Sequence, residues 1–280
     1  MPRPRSSRRI TRARGQTEVP ERSPILRREG SRYFRIDFNF DPGWIWREND
    51  EKVEGPDRLG VTEMKHVDGV YRLFDAILRA EPGRRIDNCS QGGCRNDVES
   101  LHYGLPLWKT DTTIPVDEQQ MQMLGFAQWV PLFGAGELRS MDRWEIRSRM
   151  QPYFNLSAKN ADFAVLNSEL AIWKRHMAPY YVKDFYPLTR GDHLPDQWCA
   201  WEYVDSETGE GFVQVFRRKD ALSPSILIRP RGLDWRKDYV FEDVDTQERV
   251  TIRGNGEFEV RCPPRTARIY AFHQQREGRR

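Results

Sequence analysis

The chain has 280 residues, a net charge of +3, 31% charged residues and 12% aromatic ones. That length allows one large domain or one plus a small partner, and nine Trp, fourteen Phe and ten Tyr exclude a disordered chain despite a mean hydropathy of −0.79. Cys89, Cys94, Cys199 and Cys262 are too few and too scattered for a disulfide framework or a four-cysteine zinc site, and no apolar run reaches the length of a membrane span, so a cytoplasmic setting with reduced thiols and no membrane partner is expected.

Residues 1–32 hold ten Arg, no Lys and three acids. Without an aromatic before Tyr33 or a helical period, this stretch lacks what stacking and docking on nucleic acid require. It reads as a disordered basic leader, or as text translated from another frame, and no nucleic-acid partner is expected. Regular patterning starts at Tyr33. In Tyr33–Phe40 the residues Arg35, Asp37 and Asn39 alternate with Phe34, Ile36, Phe38 and Phe40, which predicts a strand with one polar face. A cation, a carboxylate and an amide on so apolar a strand either line a polar cavity or satisfy one another as an internal network, because unpaired burial would cost roughly 2–7 kcal/mol each.

Asp41–Glu63 is rich in Pro, Gly, Trp and charge and is expected to be a loop. Val67, Val70, Leu73, Phe74, Ile77 and Leu78 have helical spacing up to the stop at Pro82-Gly83. A short strand is predicted at Arg85–Cys89, running into Ser90-Gln91-Gly92-Gly93-Cys94-Arg95, whose paired glycines let the backbone approach whatever occupies the site. Leu105–Asp111 follows, then a helix over Asp117–Ala127, a strand over Gln128–Phe133 closing on Gly134-Ala135-Gly136, a strand at Met150–Leu156 and a long helix over Asp162–Met177. Residues 198–273 hold short aromatic and β-branched runs separated by turns such as Glu207-Thr208-Gly209 and Gly254-Asn255-Gly256, the pattern of a small antiparallel β-domain.

These residues resemble the bacterial α-galactosidases of glycoside hydrolase family 36. The family's nucleophile pattern Lys-Xaa-Asp-Xaa-Asn is similar to Arg35-Ile36-Asp37-Phe38-Asn39. Its Cys-Ser-Xaa-Gly-Gly-Xaa-Arg loop is similar to Cys89–Arg95, and its Trp-Xaa-Ser-Asp strand to Trp108-Lys109-Thr110-Asp111. Asp184–Leu188, Trp198–Trp201 and Arg231-Gly232-Leu233 resemble the junction with the family's C-terminal β-domain.

The resemblance implies an α/β fold: a partial (β/α)8 TIM-type barrel, about its second half, over residues 33–180, followed by a small antiparallel β-sandwich over 181–280. It implies a retaining double displacement on terminal α-galactosides, with Asp37 as nucleophile and Asp111 as acid/base, their carboxyl groups about 5–6 Å apart. Arg35, Asn39, Asp87, Cys89, Gly92, Arg95 and Trp108 would bind the sugar, Trp108 by stacking. Lys109, on the face of Asp111 if the strand stays regular, would oppose the raised pKa that an acid needs.

Cys89 reads equally as a buried core thiol, and Trp198 and Trp201 read as β-domain core rather than a sugar platform. His66, His102, His176, His193 and His273 have no metal spacing, and hydrolysis by two carboxylates requires no cofactor or metal. The chain departs from the family at Arg35, where Lys is usual, at Thr112-Thr113-Ile114-Pro115 and at Gly134-Ala135-Gly136-Glu137. The family's first barrel strands and N-terminal β-domain have no counterpart in this sequence, since a whole barrel takes about 250 residues. The expected function is therefore a retaining α-glycosidase on a small or oligosaccharide substrate, with a non-catalytic truncated remnant that at most binds carbohydrate or packs as the alternative, and an unpaired apolar strand edge would favour homo-oligomers.

Overall fold

The computed structural model describes residues 32–111, 116–135, 138, 140–155, 162–191 and 194–275. The basic leader up to residue 31, Thr112–Pro115 and the Gly136-Glu137 pair lie outside the described residues.

Strand β1 is Tyr33–Ile36, shorter than the alternation suggested. The segment expected to be a loop is instead helical: α1 covers Gly43–Asn49, a π-helical turn Asp50–Glu54 and a 3-10 turn Pro56–Arg58. Pro42 stands just before the first helical residue, where its missing N–H is no loss, and Asp41 Oδ1 accepts from Gly43 N at 2.9 Å. Helix α2, Val61–Ala80, is the predicted amphipathic one. The buried carboxylate of Asp50 caps it, accepting from Gly60 N at 2.6 Å and from Thr62 N at 2.9 Å.

Strand β2 is Arg85–Asn88. Arg85 N donates to Arg32 O and Cys89 N to Ile36 O, both at 2.9 Å. The partner numbers rise together, so β1 and β2 are parallel. The short helix α3, Val98–Tyr103, escaped the sequence reading, and it leads into β3, only Gly104–Leu105, the third strand of the sheet β1-β2-β3.

Helix α4, Val116–Phe126, matches the expected one. The predicted strand at Gln128–Phe133 is not one. Trp129 N and Val130 N both turn back onto Phe126 O at 3.0 Å, and Val130 and Phe133 are buried as core side chains of an irregular connector. The Met150–Leu156 strand shrinks to a parallel bridge between Gly134 and Tyr153, preceded by the unpredicted helix α5, Arg143–Ser148. Helix α6, Phe163–Ile172, continues as a π-helical turn to Met177.

The rest is antiparallel, as the turn signals implied. Strands β4 (Asp184–Pro187), β5 (Trp198–Asp205), β6 (Glu210–Arg217), β7 (Ser225–Ile228), β8 (Asp238–Asp243), β9 (Arg249–Arg253), β10 (Phe258–Arg261) and β11 (Thr266–Gln274) form a six-stranded sheet, β4-β5-β6-β11-β8-β9, and the pair β10-β7. By its contacts the chain divides into two units, Met1–Phe34 with Asp41–Ile86, and Arg35–Phe40 with Asp87–Arg280.

Within the second unit strands β5 and β6 of the six-stranded sheet are buried on both faces. Cys199, Trp201 and Tyr203 of β5 enter one core with Met123, Leu124, Trp144, Ile146 and Leu166 from the helices. Trp198, Ala200 and Val204 enter a second core with Ile228 of β7 and Phe258 and Val260 of β10. Both Trp198 and Trp201 are thus core residues.

Two buried charged groups tie this unit together. Arg147 of α5 donates to Glu169 of α6 through Nε at 2.8 Å, to Asp245 after β8 through Nη1 at 2.6 Å, and to Ala267 O at 3.0 Å. Burial works against its charge, but these carboxylates raise the Arg147 pKa and hold that of Asp245 low. Glu202 of β5 is fully buried, and its Oε2 accepts from Arg231 N at 2.7 Å and Gly232 N at 3.3 Å. Desolvation outweighs these two donors and pushes its pKa up to about 7.

None of the four cysteines forms a disulfide, and only Cys94 is exposed. No helix of the described residues is long and apolar enough to cross a membrane.

Candidate active site

The alternation of β1 sets Arg35 and, just beyond it, Asp37 and Asn39 on the open side, with Phe34, Ile36 and Phe38 half-buried on the other. The guanidinium of Arg35 forks. Nη1 donates to Asp87 Oδ2 on β2, and Nη2 donates to Asp37 Oδ2 at 3.1 Å. Asp87 is 5% exposed and Asp37 31%, so one carboxylate anchors the fork from within while the other faces solvent. Partial desolvation disfavours charge on Asp37. Hydrogen bonds from Asn39, the Cys89 thiol and Arg35, with the guanidinium's charge, outweigh it and hold Asp37 below the ordinary carboxylate value.

Asp87 moves the other way, because its desolvation exceeds what Arg35 and the Leu107 N–H return. Arg35 rises as well, its partners Asp87 and Asp37 outweighing desolvation. A guanidinium keeps its proton throughout the accessible pH range, so the positive charge on Arg35 is fixed. Asp87 Oδ1 accepts from Leu107 N at 3.3 Å, which makes this carboxylate a link from the β1 fork to the segment that follows β3. The Cys89 thiol is buried and its pKa raised by that burial, the reading of a hydrogen-bond donor to Asp37 rather than a free nucleophile.

The loop after β2 is fixed from several sides. Ser90 Oγ donates to Phe38 O at 2.9 Å, and Gln91 N donates to Asn39 Oδ1 at 3.3 Å. Arg95 is half-buried, with its guanidinium 6.0 Å from the Phe38 ring centroid and Nη1 donating to Asn88 Oδ1 at 3.1 Å. Burial lowers its pKa, while the Cys89 and Asp37 side chains act in the opposite sense. Ser90 and Gln91 belong to the Cys89–Arg95 motif but were given no role from the sequence, and the only signal for Asn88 is its adjacency to that motif.

The paired glycines serve a contact inside the protein. A Cβ on Gly92, whose φ is +69°, would fall 2.4 Å from Asp111 N and 2.6 Å from Thr110 C, and one on Gly93 would fall 2.3 Å from Lys109 O. The loop therefore lies directly on the backbone of Lys109–Asp111, as only glycine permits. Trp108 and Asp111 join the group through this backbone contact and through Asp87; Trp108 is half-buried and Asp111 exposed.

Lys109 does not share the face expected of it. Regular strand ends at Leu105 and residues 107–109 form a bend, so alternation no longer applies and the side chain turns inward. Its Nζ donates to Gly134 O at 3.0 Å, Gln151 Oε1 at 2.7 Å and Gln119 Oε1 at 3.3 Å. No group of three or more His, Cys, Asp or Glu suited to a metal ion occurs among the described residues. Chemically, the site offers an ionised, partly open carboxylate fixed by three donors and a second carboxylate on a turn braced against the same loop.

Residues 23–140 match the family described as Melibiase. Among curated proteins the chain is 36% identical over 216 residues to α-galactosidase C of Emericella nidulans and 26% identical over 208 residues to α-galactosidase AgaA of Geobacillus stearothermophilus. These matches cover 70% and 67% of this chain, and 28% of each relative. The chain thus spans less than a third of the length of these relatives. The solved structure of the family 36 enzyme AgaA of G. stearothermophilus superposes with a TM-score of 0.69 at 20% identity, over 90% of this chain and 37% of that one.

Proposed function

The chain is a relative of the glycoside hydrolase family 36 α-galactosidases, and on that footing we propose that it hydrolyses terminal α-galactosides with retention of configuration. The observation that carries this reading is the state of Asp37: ionised, partly open to solvent, and held by Arg35, Asn39 and Cys89. A nucleophile for an anomeric carbon requires those properties. Asp111 is the acid/base, protonating the leaving oxygen and then activating water. Asn39, Arg95 and Trp108 face the sugar, and Gly92 keeps the loop low enough for the two carboxylates to share one substrate.

Residues 33–180 are read as the part of a (β/α) barrel that bears these groups, and 181–280 as a β-sandwich domain. The parallel β1-β2 pair and the parallel Gly134–Tyr153 bridge support the first. The test is proton NMR of the product released from an aryl α-galactoside by the full chain. The α-anomer should appear first and mutarotate later. First appearance of the β-anomer would overturn the retaining mechanism, and absence of turnover with sugar binding preserved would favour a non-catalytic role.

A further inference from the structure

We propose that Lys109 is a positioning residue: its buried ammonium pins the turn that carries Trp108 and Asp111 to three later segments of the chain. The inference rests on the role given to Asp111 above.

Lys109 is 6% exposed, and its three acceptors come from α4 (Gln119), the connector (Gly134) and the segment after α5 (Gln151). An ammonium has three donors and no acceptor, so the charged form satisfies all three oxygens. A neutral amine would leave one facing a lone pair. The amide of Gln151 has turned its oxygen to Nζ, although its Nε2 is then buried without a partner among the described residues. Nζ also lies 5.5 Å from the Phe133 ring centroid, a cation–π contact.

All three acceptors are uncharged oxygens, so none of them neutralises the charge. Burial first, and then the Arg149 guanidinium, lower the Lys109 pKa to about 7. Arg149 Nε itself donates to Glu145 Oε1 of α5 at 3.2 Å. From above, Gly93 presses on Lys109 O and Gly92 on Thr110 and Asp111. The turn is therefore clamped by the glycine loop on one side and by the ammonium on the other, and only the ammonium depends on protonation.

The test uses the full chain and Lys109→Met, which keeps length and removes the donors. Hydrogen exchange read by mass spectrometry should be roughly tenfold faster across 107–111, with β5 and β6 unchanged. In turnover, kcat for a substrate whose leaving group needs protonation should fall about 10- to 100-fold, the loss expected when a catalytic group is misplaced by about 1 Å, while an activated leaving group loses much less. Should Lys109→Met not fold, Gln151→Met removes one acceptor and should give a smaller change of the same kind. Unchanged exchange across 107–111 in the folded variants, or equal losses with both leaving groups, would overturn the proposal. A loosened turn in a protein inactive as wild type would support the anchoring and overturn the glycosidase reading instead.

Discussion

Arg35 and Asp87 are 52 positions apart and make the contact on which the candidate nucleophile depends. Because Asp87 holds one arm of the guanidinium fork, the other arm has a fixed place from which to donate to Asp37. An ammonium also has several donors, but it lacks the planar fork that sets the two contacts in one fixed geometry.

The Arg35→Lys variant should therefore fold normally and lose about 10- to 100-fold in kcat/KM on an aryl α-galactoside, since small misplacements near the chemistry cost up to about 10²-fold. Arg35→Met removes a donor and a positive charge from Asp37, whose pKa must then rise. The acid limb of its kcat/KM profile should move to higher pH. A limb at the wild-type position would show that Arg35 does not set the ionisation of Asp37.

The two carboxylates should separate by substrate. Asp37→Asn should abolish turnover of every galactoside, whereas Asp111→Asn should spare the first step for leaving groups that depart unprotonated. Pre-steady-state release of an activated aryl group measures this directly. Equal losses with activated and unactivated aglycones would remove Asp111 from the acid role.

Gly92→Ala places a methyl group against the backbone of Thr110 and Asp111 at a positive φ. Backbone strain alone costs about 1–3 kcal/mol, and the clash must be relieved by lifting the loop off the turn. We expect a lower urea midpoint and activity reduced more than stability accounts for. Wild-type stability and activity would contradict the contact.

Arg147→Ala should be far more damaging than its distance from the site suggests. It leaves Glu169 and Asp245 without their buried partner, a change that typically costs about 3–5 kcal/mol. Equilibrium urea unfolding measures it, and a loss below about 1 kcal/mol would mean the cluster is not closed in solution.

Glu202 predicts a slope in stability. Its folded pKa of about 7 lies above the ordinary value of 4.5, so between these two pH values the folded state binds a proton that the unfolded state has lost. The penalty is absent below about pH 4.5, grows as pH rises and is complete above about 7. Thermal unfolding across that window should show Glu202→Gln flatter than wild type, and parallel curves would refute the assignment.

Much of this was legible because short periods survive in sequence. Alternation in Tyr33–Phe40 and the helical spacing of Val67–Leu78 are local properties, and Glu207-Thr208-Gly209 joins β5 to β6 as its turn chemistry implied. The misses share one cause, tertiary context. Val130 and Phe133 are apolar enough for a strand, but they fill a core shared by the helices and the six-stranded sheet without joining a ladder. The direction of Lys109 could not be read once regular strand stopped at Leu105, since the acceptor that draws it inward at 2.7 Å, Gln151, lies 42 positions on. The glycine pair signalled a close approach correctly, but the approaching group proved to be the backbone of the neighbouring turn.

The two-faced burial of β5 also limits how this sequence can be recombined. A strand that lends Cys199, Trp201 and Tyr203 to the helices and Trp198, Ala200 and Val204 to the opposite side is common property, so the antiparallel part cannot be exchanged as an accessory module. A chimera that takes its β-domain from a relative would have to import matching odd-numbered positions of β5, together with Gln214, which donates to Arg147 O at 2.9 Å, and the Asp245 carboxylate. Crossover points that respect this joint ownership lie inside the elements rather than in the loop before β4.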